Sequence, residues 1–418
     1  MSASLHEAPA GVRLHIGLFG RRNVGKSSLM NALAGQAVSI VSPQAGTTTD
    51  VVSKAAELQP LGPVLFLDTA GLDDEGELGQ QRVRSSRKAL ERTDLVLLVA
   101  EGKWTPFEEA LVAELKARNL PVIAVLAKSD LHRADEALRL AAGRGATEVV
   151  EVSALTGEGL LALKEAVIRH APRESLERSS ILSGLVGPGD WVVLVVPIDL
   201  EAPKGRLILP QVQTLREALD CDAKAVVVKE RELSDALRQL GSRPKLVVTD
   251  SQAILKVAAD VPDDVPVTGF SVLYARWKGD LATFVEGAGV IDRLQSGDAV
   301  LIAEACTHHA IADDIGRVKI PRWLAQYTGA QLRFEHSAGH DFPPNLKDFR
   351  LVIQCGACMT NRREILSRIL AVQTAGVPIT NYGLAIAKCQ GVLERMLSPF
   401  PEFSGQLHSR AGVLEYGA

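Results

Sequence analysis

Largely apolar runs of four to six residues punctuate the chain at 14–19, 64–67, 95–100, 122–126, 191–196, 225–228, 246–249, 299–304 and 349–354. Runs of this length and composition, bounded by turn residues, read as strands buried on both faces. Helical patterns lie between them, the first beginning Ser28-Leu29-Met30-Asn31-Ala32-Leu33. Strands alternating with helices predict parallel, helix-covered sheets. The pattern lapses between His170 and Asp190, where Pro172, Gly184, Gly187, Pro188 and Gly189 crowd together, so 173–189 is expected as a linker. The resulting expectation is an α/β protein of three consecutive parallel-sheet domains, 1–172, 190–275 and 276–418.

The first apolar run leads into Gly20-Arg21-Arg22-Asn23-Val24-Gly25-Lys26-Ser27, which fits G-x-x-x-x-G-K-[ST] between a strand and a helix. Backbone N–H groups from Gly20 to Ser28, Val24 included, and the positive end of the helix suit a diphosphate. Lys26 can reach the β and γ phosphates, and Ser27 can hold Mg²⁺. The first domain is therefore expected as a P-loop nucleotide-binding domain.

Composition narrows the partners. The chain has 418 residues, of which 46% are hydrophobic, enough for about three domains of ordinary size. A net charge of −4, with no long Lys/Arg run, argues against nucleic acid. No apolar stretch approaches the ~20 residues that span a bilayer, and Met1 to Arg13 lacks a basic segment followed by an apolar one, so a soluble, cytoplasmic protein with no membrane partner is expected. Five cysteines favour reduced thiols or metal ligands over a disulfide framework.

Further along the first domain, Thr48 in Ala45-Gly46-Thr47-Thr48-Thr49-Asp50 can supply a second Mg²⁺ ligand. Asp68-Thr69-Ala70-Gly71, at a strand end, offers a carboxylate to the Mg²⁺ shell and a glycine where the backbone can approach a γ-phosphate. With Ala127-Lys128-Ser129-Asp130 and Val152-Ser153-Ala154-Leu155, the order of motifs resembles the translation-factor-related small GTPases. The resemblance implies that Asp130 accepts from guanine N1–H and N2–H₂, Lys128 lies over the base, and Ser153-Ala154 present a backbone N–H to O6. Ala127 departs from the family's Asn, and one lost hydrogen bond is worth about 0.5–1.5 kcal/mol, so guanine selectivity with weakened affinity is expected. Leu72 stands where Ras-like enzymes carry a water-orienting Gln. Asn23 is the residue carried by K⁺-activated GTPases of the tRNA-modification type, which implies a K⁺ beside the phosphates; a loop Asn in a left-handed conformation is the alternative. Lys26, Asn23, Asp68 and Thr48 are the expected catalytic set.

In the middle domain, a sheet of three or four strands leaves an open edge, and pairing with a second copy would protect it. A homodimer is expected. The segment 197–210 can serve either subunit contact or an active-site loop. In the last domain one strand leads to Cys306-Thr307-His308-His309 and another to Cys355-Gly356-Ala357-Cys358, delivering three thiols and one or two imidazoles to one crevice at the strands' carboxyl ends. Arg362 and Arg363 can offset thiolate charge. The spacing suits an iron–sulfur cluster or tetrahedral zinc, with a dithiol redox pair as a third reading. Cys221 and Cys389 fall outside the constellation as ordinary buried thiols.

A K⁺-type GTPase, the segment 197–211, a Cys-x-His and a distant Cys-x-x-Cys together resemble the FeFe-hydrogenase maturation GTPase family, HydF, over nearly the whole chain. The resemblance implies a GTP-hydrolysing, dimeric scaffold or carrier that binds a 4Fe-4S cluster through Cys306, Cys355 and Cys358. It also implies partners: two radical-SAM maturases that supply a di-iron cargo, and the apo FeFe-hydrogenase that receives it. The family commonly has His before its Cys-x-x-Cys; Gln354 stands there, leaving His309, preferred if the segment after Cys306 is helical, or His308. The competing expectation is a GTPase of RNA or ribosome assembly with structural zinc.

Overall fold

The computed structural model describes residues 10–35, 51–59, 61–71, 76–172, 180–197, 207–305, 314–339 and 342–403. The chain divides into two compact units, Met1–Arg178 and Ser179–Ala418. Among the described residues, no helix is long and apolar enough to cross a membrane.

The first unit holds a six-stranded sheet in the order β2-β3-β1-β4-β5-β6. Its strands are β1 (Leu14–Phe19), β2 (Val52–Leu58), β3 (Gly62–Asp68), β4 (Leu95–Ala100), β5 (Val122–Ala127) and β6 (Glu148–Val152), with helices α1 (Lys26–Gly35), α2 (Gly76–Glu91), α3 (Pro106–Ala117), α4 (Glu136–Gly143) and α5 (Leu160–His170). Strands β1, β4 and β5 are buried at every position, as helices on both faces require. All pairings are parallel except β2 with β3, an antiparallel edge strand that the apolar pattern does not reveal. Leu18 pairs with Asp68 and Ala127 with Val152, so four loops leave the carboxyl edge as two adjacent pairs.

The second unit carries two four-stranded parallel sheets, ordered β10-β9-β7-β8 and β12-β11-β13-β14. The first has strands β7 (Trp191–Val195), β8 (Lys224–Val228), β9 (Leu246–Thr249) and β10 (Val267–Gly269); the second has β11 (Ala299–Glu304), β12 (Arg333–Ala338), β13 (Leu351–Gln354) and β14 (Ile379–Asn381). The helices are α6 (Leu209–Asp220), α7 (Leu233–Gln239), α8 (Ile254–Asp260), α9 (Phe270–Lys278), α10 (Leu281–Gly289), α11 (Ile320–Thr328), α12 (Arg362–Thr374), α13 (Tyr382–Cys389) and α14 (Leu393–Leu397). Residues 190–275 and 276–418 share their cores: Val192 and Leu194 cluster with Leu301 and Val352, and Val193 with Ile302 and Ile353. Sheets of such short strands bury too little apolar area alone. Ile181, Leu182 and Leu185, within the expected linker, are buried in the same core.

The two sheets repeat one design. Each runs second, first, third, fourth across the sheet. Asp190 Oδ2 accepts from Gly187 N–H at 2.9 Å, as Asp298 Oδ2 does from Gln295 N–H at 2.8 Å, and each Asp immediately precedes the first strand of its sheet. Lys245 N–H donates to Trp191 O and Arg350 N–H to Ala299 O, both at 2.8 Å. The sequence Val265-Pro266-Val267-Thr268 answers to Val377-Pro378-Ile379-Thr380. The repeats also exchange bonds reciprocally: Thr268 Oγ1 donates to Met396 O at 3.0 Å, and Thr380 Oγ1 to Phe284 O at 2.8 Å. The helix trailing each repeat thus lies on the fourth strand of the other, α10 on β14 and α14 on β10. The unit is a tandem duplication arranged about an approximate two-fold.

Candidate functional site

Two sites stand at carboxyl edges of sheets, one in each unit. In the first, the loop leaving β1 turns through Gly20 at φ +143° and Asn23 at φ +62° before α1 begins at Lys26. A Cβ on Gly20 would lie 2.2 Å from Val99 O, so only glycine fits. Asn23 adopts the left-handed conformation, which by itself accounts for an Asn there. Buried Lys26 donates from Nζ to Gly20 O at 3.0 Å and Arg21 O at 2.7 Å, folding its ammonium over the loop. Ser27 Oγ donates to Asp68 Oδ2, while Asp68 Oδ1 is buried without a hydrogen-bond partner. Burial pushes the Asp68 carboxyl above the usual range, against the lowering effects of the Ser27 bond and of Lys26. A hydroxyl and an incompletely satisfied carboxylate side by side are the oxygen pair that a hard divalent cation takes, so these residues fit Mg²⁺. Ser28 is exposed in the first turn of α1, Val24 is buried, and Gly71 is buried at the end of the Asp68 loop. Thr48 and Leu72 lie outside the described residues.

Arg21, whose reach the sequence leaves open, is turned away from the phosphate side. Its Nε donates to Glu108 Oε1 at 2.6 Å and its Nη2 to Lys103 O at 3.2 Å. Glu108 is fully buried and also accepts from Thr105 N–H at 2.9 Å, closing a capping box on α3.

The base-side loops meet the phosphate loop. Lys128, at φ +60°, donates from Nζ to Asn23 O at 3.0 Å and pairs with Glu101 at 2.6 Å. Ala127 and Lys128 both pack beside Gly25. Asp130 is exposed beyond them. Ser153 N–H is taken by Glu158 O at 2.9 Å and its Oγ accepts from Thr156 N–H at 3.1 Å. Ala154 therefore carries the backbone N–H of this pair that remains for a ligand.

In the second unit, β11 and β13 are neighbours, with Ala303 opposite Gln354. Cys355 N–H donates to Ala303 O at 2.9 Å, and Ala305 N–H donates to Cys355 Sγ at 3.2 Å, so Cys355 sits beside the residue that precedes Cys306. Cys306, His308 and His309 themselves lie outside the described residues, and among the described residues no group of three or more His, Cys, Asp or Glu is gathered to hold a metal ion. The described part nevertheless has the features of a ligand site. Burial pushes both the Cys355 and Cys358 thiols up, with Lys278 opposing the shift at Cys358 and Arg368 at Cys355. Glu304 Oε1 and the Tyr382 hydroxyl are buried against each other at the same edge. Buried thiols at a strand's carboxyl end, with a carboxylate at the same edge, fit a metal or cluster that would take them as ligands. Glu304 is an oxygen donor that spacing alone does not bring forward.

Two cations that the sequence does not single out, Lys278 and Arg368, lie near the thiols. Arg362 turns to α9, donating from Nη1 to Trp277 O at 2.7 Å. Lys278 instead enters the cysteine loop, and Arg368 donates from Nε to Gln354 Oε1 at 3.0 Å, which gives Gln354 a structural task where the family commonly has His. Cys221 and Cys389 are half-buried, with burial raising the Cys389 thiol to about 12.

A phosphate loop bonded to a strand-end Asp, followed by base-side loops on one mostly parallel sheet, defines the first unit as a P-loop GTPase domain, and residues 15–128 match the model of a 50S ribosome-binding GTPase. Residues 181–279 match the hydrogen maturase F dimerization domain and residues 282–399 its tetramerization domain, together more than half of the chain. The chain belongs to the hydrogen maturase F (HydF) family. Among relatives, the tRNA modification GTPase MnmE of Methylococcus capsulatus is 40% identical over 153 residues, 36% of this chain and 33% of that protein. The chain thus spans about a third of the length of the curated relative it matches there. Among solved structures, Era of Aquifex aeolicus is 24% identical, covering 54% of this chain and 98% of that one with a TM-score of 0.32. The G domain of the FeoB iron transporter of T. maritima is 28% identical, covering 38% and 99%, with a TM-score of 0.31.

Proposed function

We propose that this chain binds and hydrolyses GTP in its first unit and, in its second, self-associates and carries a 4Fe-4S cluster on which a di-iron precursor of the FeFe-hydrogenase site is assembled or transferred. The observation that carries the reading is the joining, in one chain, of a bonded Lys26–Ser27–Asp68 phosphate site to a hydrogen maturase F unit that brings two desolvated thiols to a strand edge.

Lys26 neutralises phosphate charge and Ser27 and Asp68 hold the Mg²⁺, which when bound withdraws charge from the β and γ oxygens. Thr48 would add a Mg²⁺ ligand, and Asn23 would help to hold K⁺ beside the phosphates. Asp130 reads the guanine edge while Lys128, braced by Asn23 O and Glu101, keeps the base-side loop against the phosphate loop. In the second unit, Cys306, Cys355 and Cys358 would hold the cluster, and His309, His308 or the Glu304 carboxylate would complete its ligand set. A cluster with three thiolates and one weaker ligand supplies one exchangeable iron. Radical-SAM maturases and the apo-hydrogenase are the partners, met in the reducing cytoplasm that free thiols need. Edge strand β8, Lys224–Val228, leaves Val227 exposed and offers a pairing surface to a second copy. The hydrogen maturase F matches over 181–399 favour this scaffold over a zinc-bearing RNA-assembly factor.

The experiment is anaerobic reconstitution with iron and sulfide. Cys306→Ser, Cys355→Ser and Cys358→Ser should each remove or degrade the cluster, and Lys26→Ala should abolish GTP turnover with the cluster intact. Full iron loading and an unchanged spectrum in all three cysteine variants would overturn the proposal.

A further inference from the structure

The duplication makes the differences between its halves informative. With the repeats aligned by their shared hydrogen bonds, Cys355 and Cys358 stand where the first repeat has Asp250 and Ala253, and Lys278 stands where the second has Gln390. Because the repeats cross, the end of α9 in the first repeat reaches the loop after β13 in the second.

Lys278 is 2% exposed. Its Nζ donates to Cys358 O at 3.0 Å and Thr360 O at 2.8 Å, on either side of Met359. The ammonium also lies 5.1 Å from the Tyr274 ring centre and 5.0 Å from that of Trp277. The tie is returned: Arg362, at the start of α12, donates from Nη1 to Trp277 O at 2.7 Å and Gly279 O at 3.4 Å, at the carboxyl end of α9. Between these anchors the loop makes a tight turn. Ala357, a non-glycine residue at φ +48°, accepts at its carbonyl from Thr360 N–H at 3.3 Å and Thr360 Oγ1 at 3.0 Å. An ammonium is among the costliest groups to bury, and the second repeat has the neutral Gln390 at the position equivalent to Lys278. The pair Cys355 and Cys358, in place of Asp250 and Ala253, is what distinguishes the loop that receives the cation.

We propose that Lys278 is a positioning residue of the cysteine site: supplied by the first repeat, it fixes the turn carrying Cys358 and adds positive charge next to it. The inference rests on reading Cys355 and Cys358 as metal thiolates, and its test separates the two. In reduced, metal-free protein whose other three cysteines are serine, dibromobimane, which fluoresces on bridging two thiols, should join Cys355 to Cys358 several-fold more slowly in Lys278→Met than with Lys278 present, and Lys278→Arg should restore most of the rate. In reconstituted full-cysteine protein, Lys278→Met should move the cluster's midpoint potential negative and change its reduced EPR spectrum, as loss of a nearby cation requires. GTP turnover should be unchanged. Bridging at the original rate together with an unmoved potential overturns the proposal. If Lys278→Met does not fold, Lys278→Gln is read instead; if neither neutral variant folds, Lys278 serves stability alone and the proposal falls. Unsubstituted protein that takes up no iron removes the metal reading, and the bridging rates still decide Lys278.

Discussion

Asp68→Asn should raise stability without ligand and abolish the stabilisation that Mg²⁺ and GTP confer. The carboxylate is largely buried; Ser27 serves one oxygen, while the other has no hydrogen-bond partner. Leaving a buried polar group unsatisfied costs about 1–3 kcal/mol, and more when it is charged. The attraction of Lys26 offsets part of this, yet the carboxyl remains raised, so desolvation is the larger effect. An amide keeps the bond from Ser27 and removes the charge, and the low end, about 1 kcal/mol, is the expected gain. For a domain of this size that is about 2–4 °C in Tm. The pH dependence has a definite sign. A carboxyl raised on folding contributes stability that is complete below its unfolded value near 4 and lost as pH rises through the raised folded value. Ligand-free protein should therefore gain stability on acidification across that window, and Asp68→Asn should not. With Mg²⁺ and GTP at a hundred times Kd the original protein gains about 2.7 kcal/mol, whereas the variant, lacking a metal ligand, gains little, so the order of stabilities reverses. Differential scanning calorimetry of both proteins, with and without nucleotide, measures each arm. A variant less stable than the original without ligand refutes the desolvation argument; equal stabilisation by Mg²⁺ and GTP refutes the assignment of Asp68 to the metal.

Asp130→Asn should shift preference from guanosine to xanthosine triphosphate in competition binding, because the carboxylate matches two donors that guanine alone offers together. GTP turnover should be slow and should rise when K⁺ replaces Na⁺ at constant ionic strength; equal rates would leave the left-handed turn as the whole reason for Asn23. Thr268→Val and Thr380→Val each delete one of the two reciprocal bonds and strand a main-chain carbonyl. Each should cost about 1–3 kcal/mol in urea unfolding, and unequal costs, with one near zero, would count against equivalent repeats.

What the sequence discloses follows from what each residue depends on. β1, β4, β5 and β11 are legible because burial on both faces demands continuous apolar runs. β12 reads Arg-Phe-Glu-His-Ser-Ala at a half-exposed sheet edge, and β10 and β14 have three residues each, so neither periodicity nor length marks them as strands. The duplication hides for a related reason: loops of unequal length shift the register between halves, and what survives is a handful of positions, such as Asp190 with Asp298 and Thr268 with Thr380, kept by hydrogen bonds that no hydropathy pattern records. The sites divide the same way. Lys26, Ser27 and the Cys355–Cys358 pair are set by chain continuity, one turn of backbone carrying both the motif and its geometry. Asp68 is motif-marked too, but its orphaned oxygen is a fact of packing. Lys278 has no local signature: Arg276, in the same last turn of α9, is also a cation, yet it donates to Ser183 O near the surface. Only the crossing of the repeats decides which of the two cations enters the cysteine loop. A residue that serves a site from another repeat can be recognised once the repeats are aligned, because its counterpart in the second repeat is the neutral Gln390.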